Sequence, residues 1–463
     1  MYHIPTTLPL DMFRTYDIRG EVSETGLNEN VAYALGLAIA TEALALQQTD
    51  IAVACDARLT GESFKKAITA GIIATGCNVI DIGVGPSPML YFATYFLPTK
   101  TGVMVTASHN PAGDNGFKIV LNGKTLSEMG IQSLVTRIQK KEFASGAGKV
   151  SHHIIIEDYI DAICKNIKLK KKMKIVVDAG NGAASIIAPI VYRKLGCEVI
   201  ELFCEYDGRF PNHHPDPTIP KNLVDIIATV KKENADIGLA FDGDADRLGI
   251  VTNKGEVIWP DRQLMILAED VLSRNPGAKI VFDVKCSRVL PALIKKAGGI
   301  PIMSRTGHSI LKAKMIEEQS PFAGEMSGHI FFKDGWYGFD DGIYVGARLL
   351  SVLSQSEKTV SDIFDALPST VNTPELKLPM PEEKKSHFMR ALSETGDFSQ
   401  AEKITIDGLR IEYDFGWGLI RPSNTSPYLI LRFEADTENN LDKIQRIFRE
   451  QLLKVDASLQ LPF

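Results

Sequence analysis

No two cysteines in this 463-residue chain stand close enough to form a short redox loop or one end of a zinc site. The six, Cys55, Cys77, Cys164, Cys197, Cys204 and Cys286, include no CxxC pair, so the expectation is reduced, mostly buried thiols. Long apolar runs are missing too, and none approaches the roughly 20 residues that a helix needs to cross a bilayer. Positive charge is not in excess: 51 Lys and Arg face 57 Asp and Glu, for a formal net charge of -6. Such a chain has no general electrostatic footing on nucleic acid or anionic lipid, so any phosphate it binds must be held by local clusters of cations. There is no low-complexity segment, and the first residues lack the pattern of a secretory leader. These absences predict a cytoplasmic protein with neither nucleic acid nor membrane as partner.

What is present is ordinary globular composition, 44% hydrophobic and 23% charged, in a chain too long for one core. A threefold recurrence divides it. A strand ending in Asp, a loop, a helix closed by Gly and a second strand occur as IAVACD (51–56) with Gly76 before NVIDIGV, and as KIVVDAGNGAA (174–184) with Gly196 before CEVIELF. The third case is KIVFDVKCS (279–287), with Gly298 and Gly299 before IPIMSRTG. Each predicts a strand-helix-strand unit of parallel-sheet type, with glycine where a left-handed helix cap needs one. After each unit a further small apolar strand delivers a polar loop: TASHNP (106–111), IGLAFDGDADR (237–247) and FAGEMSGH (322–329). Open α/β sheets bind ligands at such carboxyl-terminal strand ends.

Ahead of the first unit, residues 13–20 (FRTYDIRG) read as a strand and tight turn that leave Arg19 exposed, and residues 31–46 read as a helix. Past Leu350 the texture changes. Residues 355–400 are charged and spaced by Pro374, Pro379 and Pro381, residues 405–412 alternate, GWGLIRPSNTSPYLILRFEAD reads as paired strands, and 440–453 as an amphipathic helix. A linker is expected near 368–375, before this smaller α+β unit.

Four loops carry chemistry. The stretch VMVTASHNPAGDNGFK (103–118) breaks from a strand into a loop kept open by Gly113 and Gly116, and sets the hydroxyl of Ser108 beside His109, with Lys118 further on. A serine is a weak nucleophile until something activates it or it already carries the group to be transferred. Asp242, Asp244 and Asp246 alternate just past an apolar strand; three anions repel unless a cation sits among them, and oxygen-only ligands point to Mg²⁺ or a similarly hard ion. An EF-hand fails at two positions, with Arg247 where that loop needs Gly and Asn253 where it needs Glu. In GEMSGH, Glu325 and Ser327 suit paired sugar hydroxyls, and His329 suits donation to phosphate or movement of a proton. In RPSNTSP, Arg421 followed by Ser423, Asn424 and Thr425 can wrap one tetrahedral anion. Together the loops describe phosphoryl transfer to or from a phosphorylated polyol.

With those loops in hand, the chain resembles the α-D-phosphohexomutase family. FRTYDIRG, TASHNPAGDNGFK, FDGDADR, GEMSGH and RPSNTSP stand in the family's order over nearly the whole chain, and only 355–400 carries no such motif. The resemblance implies three related α/β domains with mixed sheets and a fourth α+β domain around a central cleft. The expected segments are 1–150 (phosphoserine), 151–255 (metal), 256–368 (sugar) and 369–463 (phosphate). It further implies a phosphoserine at Ser108, Mg²⁺ on Ser108, Asp242, Asp244 and Asp246, and glucose 1,6-bisphosphate or mannose 1,6-bisphosphate as activator. Hexose 1-phosphate and hexose 6-phosphate, of mannose and glucose, would interconvert through the bisphosphate. Arg19, His109, Lys118 and Arg247 would assist the transfer, and Lys118 or His329 would exchange the hydroxyl proton. Tyr16, Lys285, His308, Glu325, Ser327, Arg421, Ser423, Asn424 and Thr425 would bind substrate, with the fourth domain closing as a lid. An isomerase of this kind implies supply of GDP-mannose and of exopolysaccharide and lipopolysaccharide precursors, from a cytoplasmic monomer whose partners are small-molecule sugar phosphates. The amino-sugar branch of the family, phosphoglucosamine mutase, is the nearest alternative, but Met326 stands where that branch typically has Gln or another residue. A serine and metal phosphatase is the more distant one, since it must admit water.

Overall fold

The strands Asp50–Cys55, Lys174–Asp178 and Lys279–Asp283 are apolar at most inner positions rather than alternating, the pattern of strands covered on both faces. In the computed structural model, which describes residues 2–14, 17–423 and 427–463, each lies between two parallel neighbours. Asn78–Val84 and Gly102–Val105 flank the first, Glu198–Leu202 and Ile237–Phe241 the second, and Ile300–Ser304 and Phe322–Gly324 the third. The recurrence predicted from sequence is therefore present as three parallel frames. Gly76, Gly196 and Gly298 follow the intervening helices at φ of +100°, +93° and +79°, where a Cβ would be strained. Gly299 does not share that conformation.

The described residues fall into two compact units. The first runs to Gln263 and takes in Ser327–Phe364. It holds the first two frames, and in each the polar loop is the turn into an antiparallel return: Gly102–Val105 into Asp114–Leu121, and Ile237–Phe241 into Leu248–Thr252. Both sheets are thus mixed. Ile18–Glu21 adds an antiparallel edge strand that sets Arg19 opposite Gly116, and a Cβ on Gly116 would strike the carbonyl oxygens of Ile18 and Thr106. The glycine lets the Arg19 strand approach the serine loop. The helix expected over 31–46 runs Glu29–Ala45, its first turn capped by the Asn28 side chain. Ile39, Ile51, Val53, Phe64, Ile68, Val103 and Phe117 form the core around this sheet. Each such burial is worth about 1.5–3 kcal/mol, which fixes the strand ends carrying the loops.

The second unit is Leu264–Met326 with Asp365–Phe463. Besides the third frame it contains an antiparallel sheet built on the hairpin of Gly416–Pro422 and Tyr428–Ala435. Leu409–Tyr413 and Glu402–Ile404 extend it on one side, and Val371–Asn372 and Leu376–Pro379 on the other. Within 368–375, where a linker is expected, Val371–Asn372 forms a short strand: Val371 pairs with Ala435 and packs against this sheet's apolar core. The helix expected at 440–453 runs Glu438–Val455, and its Ile444, Phe448 and Leu452 face that core. Four cysteines are buried, Cys164 and Cys204 are partly so, and all six are free thiols. Among the described residues no helix is long and apolar enough to cross a membrane.

Candidate active site

Ser108 sits at φ +50°, an uncommon conformation for a residue with a Cβ, and both of its peptide groups are held. Its N–H donates to Thr106 Oγ1 at 2.9 Å and its carbonyl accepts from Arg58 Nη2 at 2.9 Å. The buried hydroxyl donates to Asp242 Oδ2 at 2.7 Å and lies 3.1 Å from His109 Nδ1. The serine loop and the aspartate loop therefore meet within the first unit. Gly243 permits the contact, because a Cβ there would strike the Ser108 carbonyl oxygen.

Asp242, Asp244 and Asp246 are buried, with ligand oxygens all within 4.8 Å of one another. The Arg247 backbone N–H and Nε donate to the two oxygens of Asp242 at 3.1 and 3.0 Å. Lys118 Nζ lies 2.5 Å from an oxygen of Asp244 and 2.5 Å from one of Asp246, and the Ser87 hydroxyl also donates to Asp244. Burial pushes the Asp242 carboxyl up to about 7, against the pull of Arg247. Burial opposes ionisation of Asp244 as well, but the Lys118 ammonium overrides it and holds that carboxyl below the usual range. Reciprocally, burial works against the charge on Lys118, and the two carboxylates overcome it to raise the lysine well above its ordinary value. His109 is lowered well below its ordinary value, by burial first and then by Arg247 and Arg19. It is therefore a neutral imidazole near pH 7.

One oxygen of Asp244 and one of Asp246 are buried without a hydrogen bond. Buried acceptors without donors are costly. Three carboxylates this close together, two of them with an unspent oxygen, fit a hard dication such as Mg²⁺, and the Lys118 ammonium provides the compensating charge between two of them.

Arg19 corrects its expected exposure: it is buried, pairs with Asp17 at 2.7 Å and donates to the Ala107 carbonyl at 3.2 Å. The ionic partner and the close strand at Gly116 make that burial possible. His329 bridges to Arg247 along the backbone, and its Nδ1 lies 3.0 Å from Asp340 and 3.6 Å from Asp246. Ser327 is half-buried in the same unit. The first unit thus gathers Ser108, His109, Lys118, Arg19, Arg247, His329 and the three aspartates.

Lys285, His308, Glu325 and Arg421 are buried in the second unit. Lys285 Nζ lies 2.7 Å from Glu375, and Arg421 Nε 2.9 Å from Asp407, which also accepts the Thr306 N–H. Glu325 accepts the Gly307 N–H at 2.7 Å, and His308 begins the helix His308–Glu317. Ser423 is half-buried, and its carbonyl accepts from Lys385. Tyr16, Asn424 and Thr425 lie outside the described residues. Sequence reasoning missed Arg58, Thr106, Ser87, Asp340, Glu375 and Asp407. For Arg58 a signal existed, since it stands two residues past the Asp that ends the first repeated strand. The others carry none that spacing reveals.

A hydroxyl, a set of carboxylates fit for a hard cation and several guanidinium and ammonium groups at strand ends have the chemistry of a phosphoryl-transfer enzyme. Residues 10–145, 157–255 and 259–371 match alpha/beta/alpha domains I, II and III of phosphoglucomutase/phosphomannomutase, and 375–451 match its C-terminal domain. The chain is 51% identical over 460 residues to the phosphomannomutase/phosphoglucomutase of Pseudomonas putida, covering 99% of each. It is 50% identical over 443 residues to a phosphoglucomutase of Neisseria meningitidis, covering 95% of this chain and 96% of the relative. The crystal structure of a phosphoglucomutase/phosphomannomutase family protein from Burkholderia thailandensis matches with a TM-score of 0.95 and 45% identity, over 99% of this chain and 100% of that one. The chain belongs to the phosphoglucomutase/phosphomannomutase family, the isomerases that move a phosphoryl group within a hexose phosphate.

Proposed function

We propose that the chain interconverts the 1- and 6-phosphates of mannose and glucose, with Ser108 as the carrier of the phosphoryl group. The contact between the Ser108 hydroxyl and Asp242, beside buried carboxylate oxygens that lack donors, carries this reading. In the transfer, the free hydroxyl oxygen of the sugar phosphate attacks phosphorus, the bond from phosphorus to Ser108 Oγ breaks, and the attacking hydroxyl gives up its proton. A hexose 1,6-bisphosphate results, and it returns its other phosphate to Ser108 after turning; added glucose or mannose 1,6-bisphosphate would prime the serine. Mg²⁺ on Asp242, Asp244, Asp246 and Ser108 would offset the charge that gathers between two phosphate dianions. Arg19 and Arg247 add charge-assisted donors, and neutral His109 holds the serine oxygen without adding charge. Lys118 is kept charged by two carboxylates. That favours His329, oriented by Asp340, as the proton acceptor.

Arg421, Ser423, Asn424 and Thr425 are assigned to the distal phosphate, Glu325 and Ser327 to the O3 and O4 hydroxyls, and Tyr16, Lys285 and His308 to the rest of the substrate. None of these assignments addresses O2, the one centre at which glucose and mannose differ, so both sugars are accepted. The segments 1–150, 151–255, 256–368 and 369–463 then divide the work into phosphoserine, metal, sugar and phosphate binding. The enzyme would act as a monomer in the cytoplasm, with no nucleic-acid partner, supplying precursors of GDP-mannose, exopolysaccharide and lipopolysaccharide. Phosphorus NMR tests it, with Mg²⁺, a trace of glucose 1,6-bisphosphate, and mannose, glucose or glucosamine 1-phosphate in separate tubes. Conversion of the first two to their 6-phosphates with little free phosphate is expected. Conversion of the glucosamine phosphate alone, or free phosphate in every tube, would overturn the reading.

A further inference from the structure

Four backbone carbonyl oxygens of the serine loop converge on one side chain that no motif singles out. Arg58, whose side chain is wholly buried, donates from Nη2 to the carbonyls of Ser108 at 2.9 Å and Asn110 at 2.7 Å. From Nη1 it donates to those of Pro111 at 2.5 Å and Asp114 at 2.7 Å. We infer that Arg58 is a positioning residue for phosphoryl transfer, its forked guanidinium fixing the Ser108 peptide and with it the direction of Oγ. The inference rests on Ser108 being the phosphoryl carrier.

One carboxylate organises both arms of the clamp. Asp56, at the end of the first repeated strand, turns the Arg58 backbone by accepting its N–H at 3.0 Å, and its other oxygen faces Arg58 Nε at 3.5 Å. That second oxygen also accepts the Thr106 hydroxyl at 2.6 Å, which leaves Thr106 Oγ1 to accept the Ser108 N–H at 2.9 Å. Ser108 is therefore gripped at its N–H by Thr106 and at its carbonyl by Arg58. Between those grips it is held at φ +50°, where a serine does not settle without such support. Four carbonyl dipoles drawn onto a buried cation are also four partial negative charges tied down at a loop that must carry a dianionic group.

The second frame presses on the clamp from the other side. Tyr206 donates to the Asp56 carbonyl at 3.0 Å, the Phe210 ring lies 5.4 Å from the Arg58 guanidinium, and a Cβ on Gly208 would collide with the backbone of Ala57 and Arg58. A lysine at 58 would keep the charge but lose the planar fork, since one ammonium cannot reach four carbonyls spread on two sides.

The test compares the wild-type chain, Ser108→Ala, Arg58→Lys, Arg58→Met and Thr106→Val, each with Mg²⁺, glucose 1,6-bisphosphate and glucose 1-phosphate, with melting curves to give the folded fraction. A displacement of about 1 Å at the nucleophile costs roughly 100-fold, so kcat per folded molecule is expected to fall about that much in Arg58→Lys, with KM within about twofold of wild type. Arg58→Met should do no better. Recovery of kcat to within about threefold by lysine would show that charge alone matters and overturn the inference. So would a loss that vanishes on correction for unfolded chain, or one confined to KM. If neither Arg58 variant folds, Thr106→Val decides, because it frees the other grip: kcat reduced about tenfold or more at unchanged KM supports the clamp, and unchanged kcat overturns it. An inactive wild type or an active Ser108→Ala would instead remove the phosphoserine reading itself.

Discussion

In the first unit the side chains around the three aspartates bind one another, Ser108 and Arg247 on Asp242 and Lys118 on Asp244 and Asp246, while Arg19 and His329 turn to further carboxylates, Asp17 and Asp340. In the second unit the cations assigned to substrate are held by carboxylates outside that set, Lys285 by Glu375 and Arg421 by Asp407. The first arrangement is closed and fixes distances before any ligand arrives, as group transfer requires. The second is made of exchangeable pairs. A cation already paired gains less from an incoming phosphate, and a bisphosphate that has to turn is better served by moderate than by tight anchoring.

Breaking the closed set should have the largest effect. Ser108→Ala is expected to lower turnover at least ~1000-fold, since it removes the hydroxyl proposed to carry the group, while calorimetry still finds glucose 1-phosphate bound. Substantial turnover would place Ser108 among the exchangeable contacts instead. Lys118→Met removes the cation between two buried carboxylates and should destabilise the fold by about 3 kcal/mol. Thermal melts in chelator should show the full loss, and saturating Mg²⁺ should recover much of it. Equal losses with and without the metal would mean that the aspartates do not hold it.

The parallel frames were legible because strands buried on both faces read as short apolar runs, and Ser108 and the three aspartates because they stand in loops directly after such strands. Arg19 was misread as exposed because its burial depends on Gly116, its partner across a strand pair that local sequence does not encode. Arg58 stands near a marked position, two residues past the Asp that ends the first repeated strand, but its role was hidden for a related reason. Its partners are backbone carbonyls 50 to 56 residues further on, and no side-chain pattern marks a carbonyl. Glu375 lay in a segment that reads as linker by its prolines and charge, yet Val371 just before it ties that segment to a sheet.

Asp341 supplies a buried carboxyl of the first unit outside the closed set, and it sharpens the contrast. Burial pushes it up to about 7, while the Tyr344 N–H and Tyr159 hydroxyl it accepts pull the other way. Its folded value lies above the ordinary 3.8, so folding favours the protonated form. The stabilisation is complete below pH 4 or so and is lost as pH rises through about 7. In melts over that window the stability of wild type should fall relative to Asp341→Asn by at most about 1.4 kcal/mol per pH unit, with the variant flatter because its amide caps Tyr344 without titrating. Parallel slopes would show that Asp341 stays ionised in the folded chain.

The smallest effect should come from loosening an exchangeable pair. Glu375→Gln and Asp407→Asn each remove a negative charge from a proposed phosphate-binding cation while keeping a hydrogen-bonding group in place. The gain for an incoming dianion is about 1 kcal/mol, so KM for glucose 1-phosphate is expected to fall roughly fivefold. The maximal rate should fall with it if release of the bisphosphate for turning is slowed, and isotope exchange between bisphosphate and medium would register that directly. Lys285→Ala should move KM in the opposite sense. A rise in KM for both carboxylate variants would mean that Glu375 and Asp407 hold their cations in place for the substrate rather than against it, and the second unit would then be as closed as the first.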